Sequence, residues 1–153
     1  MNEWFAEELR ANKSIHLAFQ NHSHPEKLAA AMLSEDDALI SFREFYRAVI
    51  DLVGNYDINL LEQEYCFAVA RTHVVVEWKY QIIPYKDVLP NVKWEESLHP
   101  FGCKDHEKFW NRIWAINDSF WKNNMPADRP DCQCFLRSTD EPVTDNSDIY
   151  TEE

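Results

Sequence analysis

Between Leu39 and Val53 a set of apolar residues, Leu39, Phe42, Phe45, Tyr46, Val49, Ile50 and Val53, recurs at separations of three and four. That spacing lines one face of a 3.6-residue period and predicts an amphipathic helix. Ser34, followed by Glu35, Asp36 and Asp37, reads as its N-cap with acids in the first turn, and Gly54 reads as the residue that stops it. A second long helix is predicted over residues 59–80, with Asp57 or Asn59 as its cap. Leu61, Tyr65, Ala68, Thr72, Val75 and Lys79 define one face, and Phe67, Val69, Ala70, Val74, Val76 and Trp78 widen it. A helix this apolar belongs at the centre of the fold. Cys66 and His73 within it read as core or partly buried residues rather than ligands.

Ahead of these, residues 3–20 carry Trp4, Phe5, Leu9, Ile15, Leu17 and Phe19, with a helical first half and a break at Asn12-Lys13-Ser14. Asn21 to Pro25 is a turn, and Pro25 suits the first turn of a helix over residues 26–33. His22 and His24 read as loop residues, because no carboxylate or cysteine flanks them at ligand spacing.

The pattern changes after residue 82. Pro84 and Pro90 punctuate an extended region, and Asn91-Val92-Lys93-Trp94-Glu95 alternates polar with apolar, which predicts a short strand. His99-Pro100-Phe101-Gly102 is a turn. Residues 105–116 are expected to be a short helix with Phe109, Ile113 and Ile116 on one side, and Asp118 to cap a further turn. Pro126 and Pro130 stiffen the approach to Cys132, and Cys134 to Arg137 suits a second short strand. The expected fold class is α+β and mainly helical, with amphipathic helices packed against a small Cys/His- and Trp-rich subdomain containing short strands. Residues 1–82 form the helical part, residues 83–137 the subdomain of the same domain, and residues 138–153 a loose acidic tail.

Composition narrows the function. The 153 residues are 45% hydrophobic and 14% aromatic, enough to bury a core. Only Gly54 and Gly102 are glycine, so the glycine-rich phosphate loops of nucleotide-binding proteins are excluded. The net charge is −12, and residues 138–153 hold six acids and no base. Such a surface repels phosphate, so no direct nucleic-acid binding is expected. No apolar run reaches the roughly 18 residues of a membrane span. The first residues carry neither a basic nor an apolar leader pattern, so the four cysteines are expected to serve as thiols or metal ligands in a cytoplasm rather than as a disulfide framework.

The segment from Cys103 to Cys134 concentrates the chemistry, with three of the four cysteines and three of the six tryptophans. Cys103 and His106 form a C-x-x-H pair, and Cys132 and Cys134 form a C-x-C pair. Two close pairs of soft ligands are how chains deliver a tetrahedral site to zinc, although C-x-C is tighter than the usual knuckle. Free buried thiols are the alternative reading. No nucleophile, base and orienter converge in the sequence, so no catalytic residue is assigned. A metal-dependent hydrolase using His106 and the cysteines has the weakest support, since neither an open position nor a base is identifiable.

Read from the central helices into this segment, the order of features resembles the phage Mu F-like minor head (head morphogenesis) proteins, over roughly residues 35–145. The resemblance runs from Phe42-Arg43-Glu44-Phe45 through a Tyr56-Asp57 turn and the Leu61 to Tyr65 helix, with its Glu64-Tyr65, to Trp78. It continues with Cys103 and His106, Asp118-Ser119-Phe120-Trp121, Met125-Pro126 and Cys132-Gln133-Cys134. The chain departs from the family where a double proline and Gly-Trp give way to residues 125–130, and where Gln133 replaces an arginine. The resemblance implies a structural protein of the virion, assembled in the host cytoplasm, with portal or capsid protein as partner and no enzymatic activity. It also implies ligand character for Cys103, His106, Cys132 and Cys134, with a structural zinc as the cofactor. The alternative from a different class is an acidic inhibitor or immunity-type protein that neutralises a basic enzyme such as a nuclease, as the charge of −12 would suit.

Overall fold

A computed structural model describes residues 2–98, 103–129 and 132–151. The expected turn at residues 99–102 and Pro130 lie outside the described residues. The fold is α+β and mainly helical, with five α-helices and one small antiparallel sheet among the described residues. The chain divides into two compact units, Met1–Val76 and Glu77–Glu153, each built on its own apolar core.

The regular elements of the first unit are helical: α1 (Asn2–Ala11), α2 (Lys13–His16), a 3-10 turn (Leu17–Phe19), α3 (Pro25–Ala30), α4 (Phe42–Val53) and α5 (Ile58–Val76). Asn12 provides the expected break, and its side chain accepts from the Ser14 amide at 3.0 Å to cap α2. Pro25 opens α3, where its missing N–H costs nothing. α4 starts later than its acidic run suggests. Ser34 does not cap it; its hydroxyl accepts from the amides of Asp36 and Ala38 in a tight turn, with Asp37 at φ +61° and an isolated bridge between Leu33 and Leu39. Ser41 is the cap, accepting from the Glu44 amide at 3.2 Å while its hydroxyl donates to the Glu44 carboxylate at 3.3 Å. α4 stops at Gly54, whose φ of +60° an L side chain rarely adopts.

Asp57 caps α5 by accepting from the amides of Asn59 and Leu60. The buried residues Leu61, Tyr65, Ala68 and Thr72 step by three and four along α5, which packs against α1, α2 and the Leu17–Phe19 turn. Phe45 and Val49 of α4 complete the core, with Phe45 against Phe19 and Tyr65 at ring separations of 5.9 and 5.3 Å. The Tyr65 hydroxyl donates to the Ile40 carbonyl, which anchors the segment entering α4. Cys66 and His73, expected in or near the core, are exposed, because they lie off the buried stripe.

The second unit opens with a π-helical stretch, Glu77–Ile82, followed by a 3-10 turn at Ile83–Tyr85. α-Helical hydrogen bonding therefore ends at Val76, four residues before the expected end. Its sheet has the order β2 (Ile113–Ala115), β1 (Asn91–Glu95), β3 (Phe135–Thr139), antiparallel throughout. The alternation in β1 works as expected: Val92 and Trp94 are buried, opposite Trp114 and Leu136 respectively. The expected helix over residues 105–116 is replaced by a 3-10 turn (Glu107–Phe109) and strand β2. Asn111 at φ +66° breaks the helical path, and its amide donates to the Trp94 carbonyl at 2.7 Å, turning the chain into the sheet. Asp118 caps a 3-10 turn (Ser119–Lys122) through the Phe120 amide at 2.8 Å.

The acidic end differs from the loose tail expected of it. Asn146 is buried and donates to the Ile113 carbonyl at 2.9 Å, and the Thr144 hydroxyl accepts from the Ile113 amide. The Trp114 indole donates to the Tyr150 hydroxyl at 3.1 Å, and Arg112 forms a bidentate pair with Asp148. Few apolar residues were needed, because the segment docks by satisfying the open edge of β2.

Candidate metal centre

Local backbone geometry aims all four candidate ligands inward. Cys103 opens a turn closed by the His106 amide donating to the Cys103 carbonyl at 3.0 Å, which brings residues three apart to one side. Cys132 and Cys134 lie just ahead of β3, and burial alternates residue by residue from Cys132 to Leu136, as it does along a strand, where side chains two apart share a face. Cys132, Cys134 and Leu136 are accordingly buried, while Gln133 and Phe135 between them are exposed. The tight C-x-C spacing thus places both sulfurs on the buried side.

The donor atoms of Cys103, His106, Cys132 and Cys134 all lie within 4.8 Å of one another, and all four residues are buried. The three sulfurs stand 3.1, 3.4 and 4.0 Å from His106 Nδ1. Bond lengths of about 2.3 Å to sulfur and about 2.0 Å to nitrogen put neighbouring donors of a tetrahedral zinc site about 3.5–3.8 Å apart. The group could hold a metal ion such as zinc.

Two N–H donors reach the sulfurs. The Trp110 indole donates to Cys134 Sγ at 3.3 Å, and the Ala127 amide, presented by a φ of +59°, donates to Cys132 Sγ at 3.3 Å. A hydrogen bond from Cys132 is the main influence holding the Cys134 thiol below its usual range, against burial. Cys132 itself is pushed up by that same hydrogen bond and by burial. Burial also pushes Cys103 up. Burial alone would lower His106, but Asp128 and Cys134 outweigh it and raise the imidazole to about 9.

Asp128 is the residue that sequence reasoning missed. Its Oδ1 lies 3.0 Å from His106 Nε2, at ion-pair distance but outside hydrogen-bond alignment. Burial opposes its ionisation, yet His106 and Arg129 hold it down to about 2. Arg129 donates to Asp128 at 2.9 Å and also pairs with Asp105, beside His106. Asp128 lies four residues before Cys132 in a proline-rich approach, a position that no ligand spacing marks.

An aromatic cluster walls the site. Trp94 meets His106 edge-on at 4.9 Å and lies parallel to Trp121 at 6.2 Å, while Trp114 stacks on Phe120 at 3.8 Å. His22 pairs with Glu64 at 2.7 Å, and Tyr56 donates to the same carboxylate at 2.6 Å. His24 is an exposed loop residue, as expected. Among the described residues no helix is long and apolar enough to cross a membrane. The chain matches no known family model, no curated protein and no solved structure.

Proposed function

We propose that this protein is a structural protein of the head-morphogenesis type, acting through protein–protein contacts, with its second unit held by a zinc ion on Cys103, His106, Cys132 and Cys134. The observation that carries the proposal is the closed donor set: four buried protein ligands leave a tetrahedral ion no open position for substrate or water. Such a site supplies folding energy and has no place to do chemistry. The later motifs of the phage resemblance, from Trp78 onward, share one apolar cluster. Trp78 meets Trp121 at 5.4 Å, and Met125 packs into the cluster that contains Cys103, Phe120, Cys132 and Cys134. Residues scattered over more than fifty positions of sequence thus wall one site.

The test is co-expression with the portal and capsid proteins encoded in the same genome, followed by size-exclusion chromatography. Co-elution in a stable complex, with no turnover of substrate, is expected. No complex with either protein, together with salt-sensitive capture of a basic nuclease, would overturn this reading in favour of an acidic inhibitor.

A further inference from the structure

We infer that Asp128 is a positioning residue that makes His106 an Nδ1 ligand, and that Arg129 holds Asp128 in place by bridging to Asp105. This rests on the zinc reading of the site. An imidazole offers a metal the nitrogen that carries no proton, and the partner of the other nitrogen decides which one that is. In this site Nδ1 faces three sulfurs, and a carboxylate oxygen of Asp128 lies 3.0 Å from Nε2. A carboxylate only accepts, so the neutral ring keeps its proton on Nε2 and presents the Nδ1 lone pair to the sulfur side. With the tautomers exchanged, an N–H would point at the metal position instead.

The carboxylate is itself fixed. Arg129 Nε donates to Asp128 Oδ1 at 2.9 Å, Arg129 Nη2 reaches Oδ2 at 3.4 Å, and Nη1 pairs with Asp105. Asp105 sits in the turn that carries Cys103 and His106, and Asp128 in the segment leading to Cys132. The guanidinium therefore clamps together the two stretches that supply the two ligand pairs. Ala127, next to Asp128, gives its amide to Cys132 Sγ, so the same segment touches both pairs.

The experiment titrates the full chain with zinc against a chromophoric chelator, and with cobalt(II) by visible absorption. Asp128→Asn keeps the shape of the side chain and Asp128→Ala removes it. Both are compared in the native background and in His106→Cys, where no imidazole remains to be oriented. Zinc affinity is expected to fall about 10–100-fold in both Asp128 variants, and the loss to vanish in the His106→Cys background. Native affinity in Asp128→Asn and Asp128→Ala would overturn the positioning role while leaving the zinc site standing. The same loss in the His106→Cys background would show that Asp128 acts on the fold rather than on the imidazole, which also overturns it, as would failure of both variants to fold with zinc in excess. A native chain that binds neither metal would remove the zinc site and this inference together.

Discussion

Trp94 is the residue on which the second unit's core and its candidate metal centre both lean. It is fully buried, touches His106 and Phe109 at ring separations of 4.9 and 5.0 Å, and pairs with Leu136 across the sheet. An indole buries about 150–250 Å², worth about 4–6 kcal/mol at 25 cal/mol per Å². Against this, its Nε1 meets no acceptor at hydrogen-bond geometry among the described residues. An orphaned N–H costs about 1–3 kcal/mol, so Trp94→Ala should destabilise by about 3 kcal/mol. Trp94→Phe sheds the N–H and keeps most of the ring. It loses about 2 kcal/mol in area and cavity and recovers about as much, so it should fall within about 1 kcal/mol of the native chain. Urea unfolding followed by near-ultraviolet circular dichroism, with zinc held constant, measures both. If Trp94→Phe costs as much as Trp94→Ala, the N–H is engaged and this reasoning is refuted.

Three further outcomes are expected. Ser41→Ala removes the cap that accepts from the Glu44 amide and should cost about 1 kcal/mol in the thermal unfolding of the first unit, whereas Ser34→Ala should leave the start of α4 unchanged by helix-resolved NMR shifts. The hydrogen bond to Glu64 is the main cause that raises Tyr56 above its usual value, so the protonated phenol is favoured by folding. Its contribution is complete below about pH 10 and is lost as pH rises through the raised value, and Glu64→Gln should move the tyrosinate absorbance titration of Tyr56 downward. Asn146→Ala strips the buried donor from the Ile113 carbonyl, and should cost about 1–2 kcal/mol and speed proteolysis after residue 139.

Much of this molecule is legible where a residue's chemistry acts locally. The stop at Gly54, the caps at Asp57 and Asp118, and the alternation of β1 each depend on a residue and its near neighbours, and each stands where the sequence puts it. The fold class follows from the same signals. Local patterns mislead where two solutions share one spacing. Phe109, Ile113 and Ile116 fit a helical face, yet Asn111 in the left-handed region and pairing of Ile113 with Lys93 make a turn and a strand. The cap expected at Ser34 falls instead at Ser41, whose hydroxyl accepts from the Glu44 amide, because the Ser34 hydroxyl is taken by its own turn. Long-range contacts were beyond reach. Asp128 meets His106 across twenty-two positions, and Asn146 reaches Ile113 across thirty-three, with no periodicity or spacing to announce either.

The central claim, that a zinc ion pins the second unit through Cys103, His106, Cys132 and Cys134, is tested most directly by metal content. Protein purified without a histidine tag would be measured by mass spectrometry for metal per chain, beside Cys132→Ser and a chelator-treated sample followed by thermal unfolding. One zinc per chain is expected, lost in Cys132→Ser together with the unfolding transition of the second unit, while the helices of the first unit persist on their own core. No metal, fully reduced cysteines and a transition untouched by chelator would contradict the claim.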